Sequence, residues 1–225
     1  GRLTINDTVF NDNTAVRAGG AIEDQAGAGG NTVLTDTDFE DNTVIDGGIP
    51  ANPGNGGAIH ITGPSNMTIT NGSASGNRAQ REGGAFWNGT GTMTINQTRI
   101  TGNTASGPAP DDGGGGIFNN GGTLVVNGGA ISRNIADGTS GSGGGIFSTD
   151  GKVTINNDSV IAANVANRAG GGIEIISGGL EVFNSTLGGD DASGNIAGPA
   201  GTAAPGNGGA VHISANCEST FSGVR

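Results

Sequence analysis

The chain has no tyrosine, one cysteine, one tryptophan and one lysine in 225 residues, and aromatic residues make up 4% of it. With 32% hydrophobic residues, it carries too little apolar mass for the layered core of an ordinary α/β domain. The single Cys217 excludes an internal disulfide framework and a Cys-rich zinc site. It reads as a small buried hydrophobe, with an intermolecular bridge as the alternative. Cations are also scarce, with nine Lys and Arg against twenty Asp and Glu, a formal net charge of −11. Nucleic acid and anionic lipid are bound by clustered cations, so neither is an expected partner. No run of about 20 apolar residues is present, so no membrane insertion by this chain is expected. The chain begins at Gly1 with no leader segment and stops at Arg225. It reads as a processed piece or an excised part of a longer repeat protein.

Glycine is abundant, at 48 residues. Disorder is the first reading of such a composition, but Ile, Val, Leu and Phe recur at regular places, which disorder does not require. Glycine at every third position is absent, which removes collagen. A skeleton first seen in "FNDNTAVRAGGAIE" (10–23) is instead rewritten along the chain. Its Asn returns as Asn13, Asn42, Asn77, Asn103, Asn134, Asn164 and Asn195, a period of about 30 residues, within the range of solenoids. An apolar residue stands three places earlier in six copies (Phe10, Phe39, Ala74, Ile100, Ile131, Ile161). In the seventh, Leu187 lies eight places ahead, with "GGDDA" pushed in. A Gly-Gly element closes on Ile22, Ile59, Phe86, Ile117, Ile146, Ile173 and Val211. A third element reads "LTIN", "TVLT", "MTIT", "MTIN", "LVVN", "VTIN" and "LEVF". Its alternation has the period of a half-buried strand.

Three short strands per repeat, none able to pack alone, predict one coil each. Stacked about 4.8 Å apart, such coils pair every strand with its equivalent above and below. The expected fold is all-β: a single-stranded, right-handed parallel β-helix of about seven coils and roughly 30 residues per coil, one domain over 1–225. The Asn is expected to take a left-handed turn and to ladder along the axis through its side chain. The Gly pair is expected where a Cβ would clash.

The motifs "FNDN" (10–13) and "FEDN" (39–42), with "GGAI" (19–22 and 56–59) and "GGAV" (208–211), resemble the repeats of chlamydial polymorphic outer membrane proteins and of other bacterial surface β-helix proteins. The resemblance implies an extracellular or cell-surface β-helix passenger, often adhesive. Most copies here have Ile in place of Phe, and four Gly-Gly elements read "GGGI" or "GGAF".

Alternation on the Gly-Gly strand points one column outward: Glu23, His60, Trp87, Phe118, Phe147, Glu174 and His212. Trp87, Phe118 and Phe147 are therefore expected as an exposed contact stripe, unless they stack under a loop. A second outward lattice of small residues runs through Thr4/Asn6, Val33/Thr35, Thr68/Thr70, Thr94/Asn96, Val125/Asn127 and Thr154/Asn156, and ends at Glu181/Phe183. It resembles the Thr-x-Thr faces of ice-binding solenoids, although β-propensity alone would place Thr there. Acidic residues gather early (Asp7, Asp12, Asp36, Asp38, Glu40, Asp41, Asp46). Asp7 under Asp36 and Asp12 under Asp41 form either a solvated edge or a weak calcium candidate, and no other cofactor or metal is expected. The pairs Asp111–Asp112 and Asp190–Asp191 fall in Gly-rich loops of different coils, and His60 and His212 lie about five coils apart, so neither set reads as catalytic.

The first reading is therefore a non-catalytic extracellular surface or adhesive module. Its partner is a protein or glycan surface, or another copy met end to end. The alternatives are a structural stalk or filament subunit, an ice-binding protein, and, last, a polysaccharide lyase-type enzyme.

Overall fold

The computed structural model describes residues 1–45, 53–189, 193–199, 205–214 and 216–225. Regular structure among them is β throughout, and the strands form parallel pairs in two seven-stranded sheets and one thirteen-stranded sheet. Each strand pairs with its equivalent one coil on: Met93 lies against Met67 on one side and Leu124 on the other. The chain is a parallel β-helix.

From the third coil onward each coil has four strand segments rather than the three expected. A central coil runs Thr92–Asn96, Arg99–Thr101, Thr104–Ala105 and Ile117–Asn120. The extra corner comes from a left-handed residue just after the alternating strand: Asp7, Asp36, Asn71, Gln97, Gly128, Asn157 and Asn184 have φ between 43° and 64°. Asp, Asn and Gly dominate this column because they tolerate that region best. In the first two coils the corner is gentle, and Arg2–Asn11 and Asn31–Glu40 run through it as single strands. In several coils a hydroxyl one or two residues later ties the corner down. Buried Thr98 donates from Oγ1 to Asn96 O at 3.0 Å and to Asn71 O at 2.9 Å. Thr37, Ser159 and Ser185 do likewise.

The seven asparagines line up on the axis. Each of the first six donates its backbone N–H and its Nδ2 to the Oδ1 of the next, as Asn77 does to Asn103 at 2.9 Å for both. From Asn42 onward, Nδ2 also reaches back to a carbonyl of the preceding coil; that of Asn103 donates to Ala74 O at 3.0 Å. Asn42, Asn77, Asn103, Asn134 and Asn164 are fully buried. One expectation is corrected. The left-handed turn belongs to the residue before the Asn, namely Asp12, Asp41, Gly76, Gly102, Arg133 and Ala163. That turn swings the amide inward, where it satisfies backbone groups that the corner would otherwise strand.

The Gly pair divides two tasks. Gly83 takes φ +65°, and a Cβ on Gly84 would lie 2.0 Å from the carbonyl oxygen of Gly115 in the next coil. Inside, the columns Leu34–Ile69–Ile95–Val126–Ile155–Val182 and Ile59–Phe86–Ile117–Ile146–Ile173 are essentially inaccessible. Thr32, out of pattern in sequence, is buried and donates to the buried Asp24 at 2.9 Å. The core also holds a polar run that the sequence reading passed over. Asn88 Nδ2 donates to Asn119 Oδ1 at 2.7 Å, and Asn119 Nδ2 to Ser148 Oγ at 3.0 Å.

The irregular seventh copy keeps its stations. Leu187 stacks on Ile161, and Asn195 accepts from Asn164. Beyond it, Cys217–Ser222 adds another rung onto Gly178–Phe183, although the repeat decays there in sequence.

Candidate functional site

The outward column of the Gly-Gly strands is in register from end to end: Glu23, His60, Trp87, Phe118, Phe147, Glu174 and His212 are successive partners. Stacking follows from that register, because parallel pairing sets equivalent side chains one strand spacing apart. His60 lies on Trp87 with ring centroids 4.4 Å apart, Trp87 on Phe118 at 6.2 Å, and Phe118 on Phe147 at 4.8 Å, all nearly parallel.

The expected exposure of this stripe is corrected. Trp87 is 9% exposed, Phe118 3% and Phe147 0%. Segments leading from the Asn corner to Gly-Gly fold over the column, and the aromatics form a second hydrophobic cluster, with Ile176 packed against it, outside the coil wall. Glu82, from one such segment, accepts from the Trp87 indole N–H at 2.8 Å.

Each end of the stack carries an Arg–Glu–His group. At one end Arg17 pairs with Glu23, whose Oε1 lies 3.8 Å from His60 Nδ1. At the other, Arg168 donates to Glu174 at 2.9 Å and His212 Nδ1 lies 3.1 Å from the same oxygen. The two groups share spacing and surroundings: "RAGGAIE" (17–23) parallels "RAGGGIE" (168–174). Burial, with Arg17 nearby, pushes the His60 pKa down to about 4. Burial raises Glu174 against the pull of Arg168 and His212. Glu174 is fully buried, and its Oε2 has no hydrogen-bond partner among the described residues. These groups are packed as ties between coils, and the two histidines are far apart in their seven-stranded sheet, His212 on one end strand and His60 on the strand next to the other end.

Between the ends lies a cleft of about 190 Å³ lined by Glu82, Asp111, Phe118, Asn120, Phe147, Thr149 and Ile176. Its lining combines Ile176 and the covered Phe118 and Phe147 with the carboxylates Glu82 and Asp111 and the neutral polar residues Asn120 and Thr149. Glu82 is anchored by Trp87 and by the Asn55 amide at 2.8 Å. Burial pushes its pKa up to about 7, the Trp87 hydrogen bond and Arg81 oppose this, and Asp112 and Asp111 add to it. Asp112 accepts from the Ala109 N–H at 2.9 Å, and burial raises its pKa too. Asp111 and Asp112 therefore face Glu82 of the preceding coil. Glu82 is a residue that the sequence reading missed. The signal was present: it precedes Gly-Gly, where the other copies carry Ala18, Asn55, Gly113, Ser142, Ala169 and Asn207, all uncharged.

The second outward lattice is in register as expected: Thr68, Thr94, Val125 and Thr154 in one column, Thr70, Asn96, Asn127 and Asn156 in the other. It continues past Glu181 and Phe183 to Thr220 and Ser222. Its amides are partly spent on each other, as Asn127 Nδ2 donates to Asn96 Oδ1 at 2.8 Å. Asp7 stacks on Asp36, whose carboxylate accepts from Asn71 at 3.0 Å. Asp12 stands beside Asp41 in the same way. Among the described residues no three His, Cys, Asp or Glu side chains converge as a metal-binding group. Asp46 and the pair Asp190–Asp191 lie outside the described residues. Cys217 is partly exposed, and its Sγ donates to Ile175 O at 3.8 Å.

Compared with family models, curated proteins and solved structures, the chain matches none. The class is therefore carried by the coordinates alone, as a parallel β-helix with an Asn ladder and a covered aromatic column.

Proposed function

We propose that this chain is a non-catalytic β-helix module of an extracellular or surface protein, meeting a protein or glycan partner on its Gly-Gly face. The observation behind this reading is how the polar side chains are used. The asparagine ladder, the corner hydroxyls and both Arg–Glu–His groups tie coil to coil. The cleft beside Phe118 and Phe147 bears Asp111, an exposed carboxylate with no such tie, next to Glu82, which Asn55 and Trp87 hold in place. A stiff body with one chemically distinct cleft suits display and contact better than turnover.

The test is attachment. Beads carrying the chain are scored on cultured cells, on immobilised extracellular-matrix proteins and on a glycan array, beside beads carrying Asp111→Asn/Asn120→Ala. Attachment that this pair weakens supports the reading. No attachment, or attachment indifferent to the pair, overturns it. New reducing ends released from acidic glycans would replace it with an enzyme. The registered Thr/Asn lattice favours a second reading, ice binding, and thermal hysteresis at high protein concentration measures it directly.

A further inference from the structure

The cleft over the aromatic stack combines features that select one ligand chemistry. Its apolar lining is Ile176, packed on the nearly inaccessible rings of Phe118 and Phe147. Phe118 and Phe147 are stacked on each other, with centroids 4.8 Å apart, and are 3% and 0% exposed, so no free ring face is left for a sugar. Two carboxylates, Glu82 and Asp111, belong to the lining. Glu82 is held in place by two N–H donors, from Trp87 and Asn55. The volume, about 190 Å³, admits a chain of four or five carbons with a small head group and excludes a disaccharide. The surrounding protein carries a net charge of −11, which draws cations toward its surface.

From these features we infer that the cleft binds a primary alkylammonium group, its methylene stem lying along Ile176 above the covered Phe118–Phe147 pair and its charged head held between Glu82 and Asp111. The inference rests on the reading of the Gly-Gly face as a contact surface and names what that face holds. Apolar contact with the stem and charge-assisted hydrogen bonds to the head are the two parts of such recognition. The ammonium belongs either to a lysine side chain of a partner protein or to a free aliphatic amine. Binding also follows the protonation of Glu82. Asp111 and Asp112 of the next coil's loop favour its neutral form, while Arg81 and the Trp87 N–H favour the carboxylate. An ammonium ligand adds to the second group, so it binds more tightly at pH 8 than at pH 5.5.

Trp87 is the only tryptophan and is hydrogen-bonded to Glu82, so its emission reports on the cleft. The whole chain is titrated with Nα-acetyl-lysine methylamide, with cadaverine, and with Nα-acetyl-norleucine methylamide as the uncharged analogue, and calorimetry runs in parallel. The expected result is saturable binding of the amines, at least about tenfold weaker binding of the norleucine analogue, and a further loss below pH 6. Glu82→Gln keeps acceptors for Trp87 and Asn55 and is expected to weaken amine binding about tenfold. Asp111→Asn, on an exposed loop residue, weakens it a few-fold, and Asn120→Asp tightens it. These two variants decide the matter should Glu82→Gln fail to fold. Stronger binding of the lysine derivative assigns the group to a partner protein, and stronger binding of cadaverine assigns it to a free amine. Equal binding of the norleucine analogue, or amine binding that none of the three variants alters, overturns the inference. Failure here with bead attachment intact removes only the amine and leaves the contact-surface reading standing.

Discussion

His60 lies face to face with Trp87, ring centroids 4.4 Å apart and planes inclined by 22°, and its Nδ1 is 3.1 Å from the Thr62 hydroxyl. A histidine held this way is 4% exposed and resists protonation, with its pKa pushed down to about 4.

That shift makes acid a specific threat to the fold. The unfolded chain takes up a proton at this side chain below about pH 6.5, and the folded chain does not until about 4. The stabilisation is therefore complete above 6.5 and drains away as pH falls toward 4, amounting to about 3 kcal/mol for a buried group. Urea unfolding of the wild type and of His60→Phe, compared at pH 7.5 and pH 4, should show this difference in acid sensitivity. Parallel slopes would show that His60 titrates as it does in water.

Glu82 carries the opposite sign. Its pKa is raised to about 7, so burying the carboxyl costs nothing below the unfolded value and costs progressively more as pH rises through the folded one. Glu82→Gln, which keeps an oxygen for the Trp87 N–H, is expected to match the wild type in thermal stability at pH 4 and to exceed it at pH 8. A variant less stable than wild type at both pH values contradicts this.

The middle of the asparagine ladder should be far more sensitive than its rim. Asn103 accepts two hydrogen bonds from Asn77 and donates to Asn134 and to Ala74 O. Asn103→Ala leaves several buried groups unpaired and should cost about 2–4 kcal/mol. Asn13→Ala, at an exposed first rung, should cost below about 1 kcal/mol. Denaturant titration of both variants measures the contrast, and equal losses would mean the ladder adds nothing beyond single local contacts.

Two glycines separate backbone freedom from close approach. Gly102 has φ +66° but open space around a would-be Cβ, so Gly102→Ala should cost about 1 kcal/mol. At Gly84 the added carbon meets the Gly115 carbonyl at 2.0 Å. Gly84→Ala has to push two rungs apart and should cost on the order of 4 kcal/mol. Thermal melts that rank the two in reverse would contradict the stacked-glycine geometry.

The repeat made most of the architecture readable, because Asn, Gly-Gly and the alternating strand fall at stations whose partners lie one period away. Asn13 and Asn195 could be placed on one line without coordinates. The direction of Trp87, Phe118 and Phe147 was equally legible, since alternation fixes the face. Their burial was not, because the covering segments (80–82 and 106–112, for example) follow no repeat and their path is set by tertiary packing. Glu82 was missed for the same reason. Asn88 and Asn119 were missed because the inward position after the outward residue is apolar in some copies, such as Ile61 and Ile175, and polar in others. The last rung, "CESTFS", escaped notice because its first inward station holds Ser219 where most other copies hold Leu, Met or Val.

The seam of glycine backbones has an architectural consequence. Where Gly57, Gly84, Gly115 and Gly144 lie carbonyl to α-carbon, the pitch of the helix is locked, and the strands that follow inherit it. Extra chain is therefore accommodated upstream of the seam, between the asparagine corner and the glycines, where coils differ most in length. Lengthening or shortening that stretch redraws the outer relief of one edge while the body beneath keeps its rise. New surfaces are thus acquired here at little cost to the scaffold.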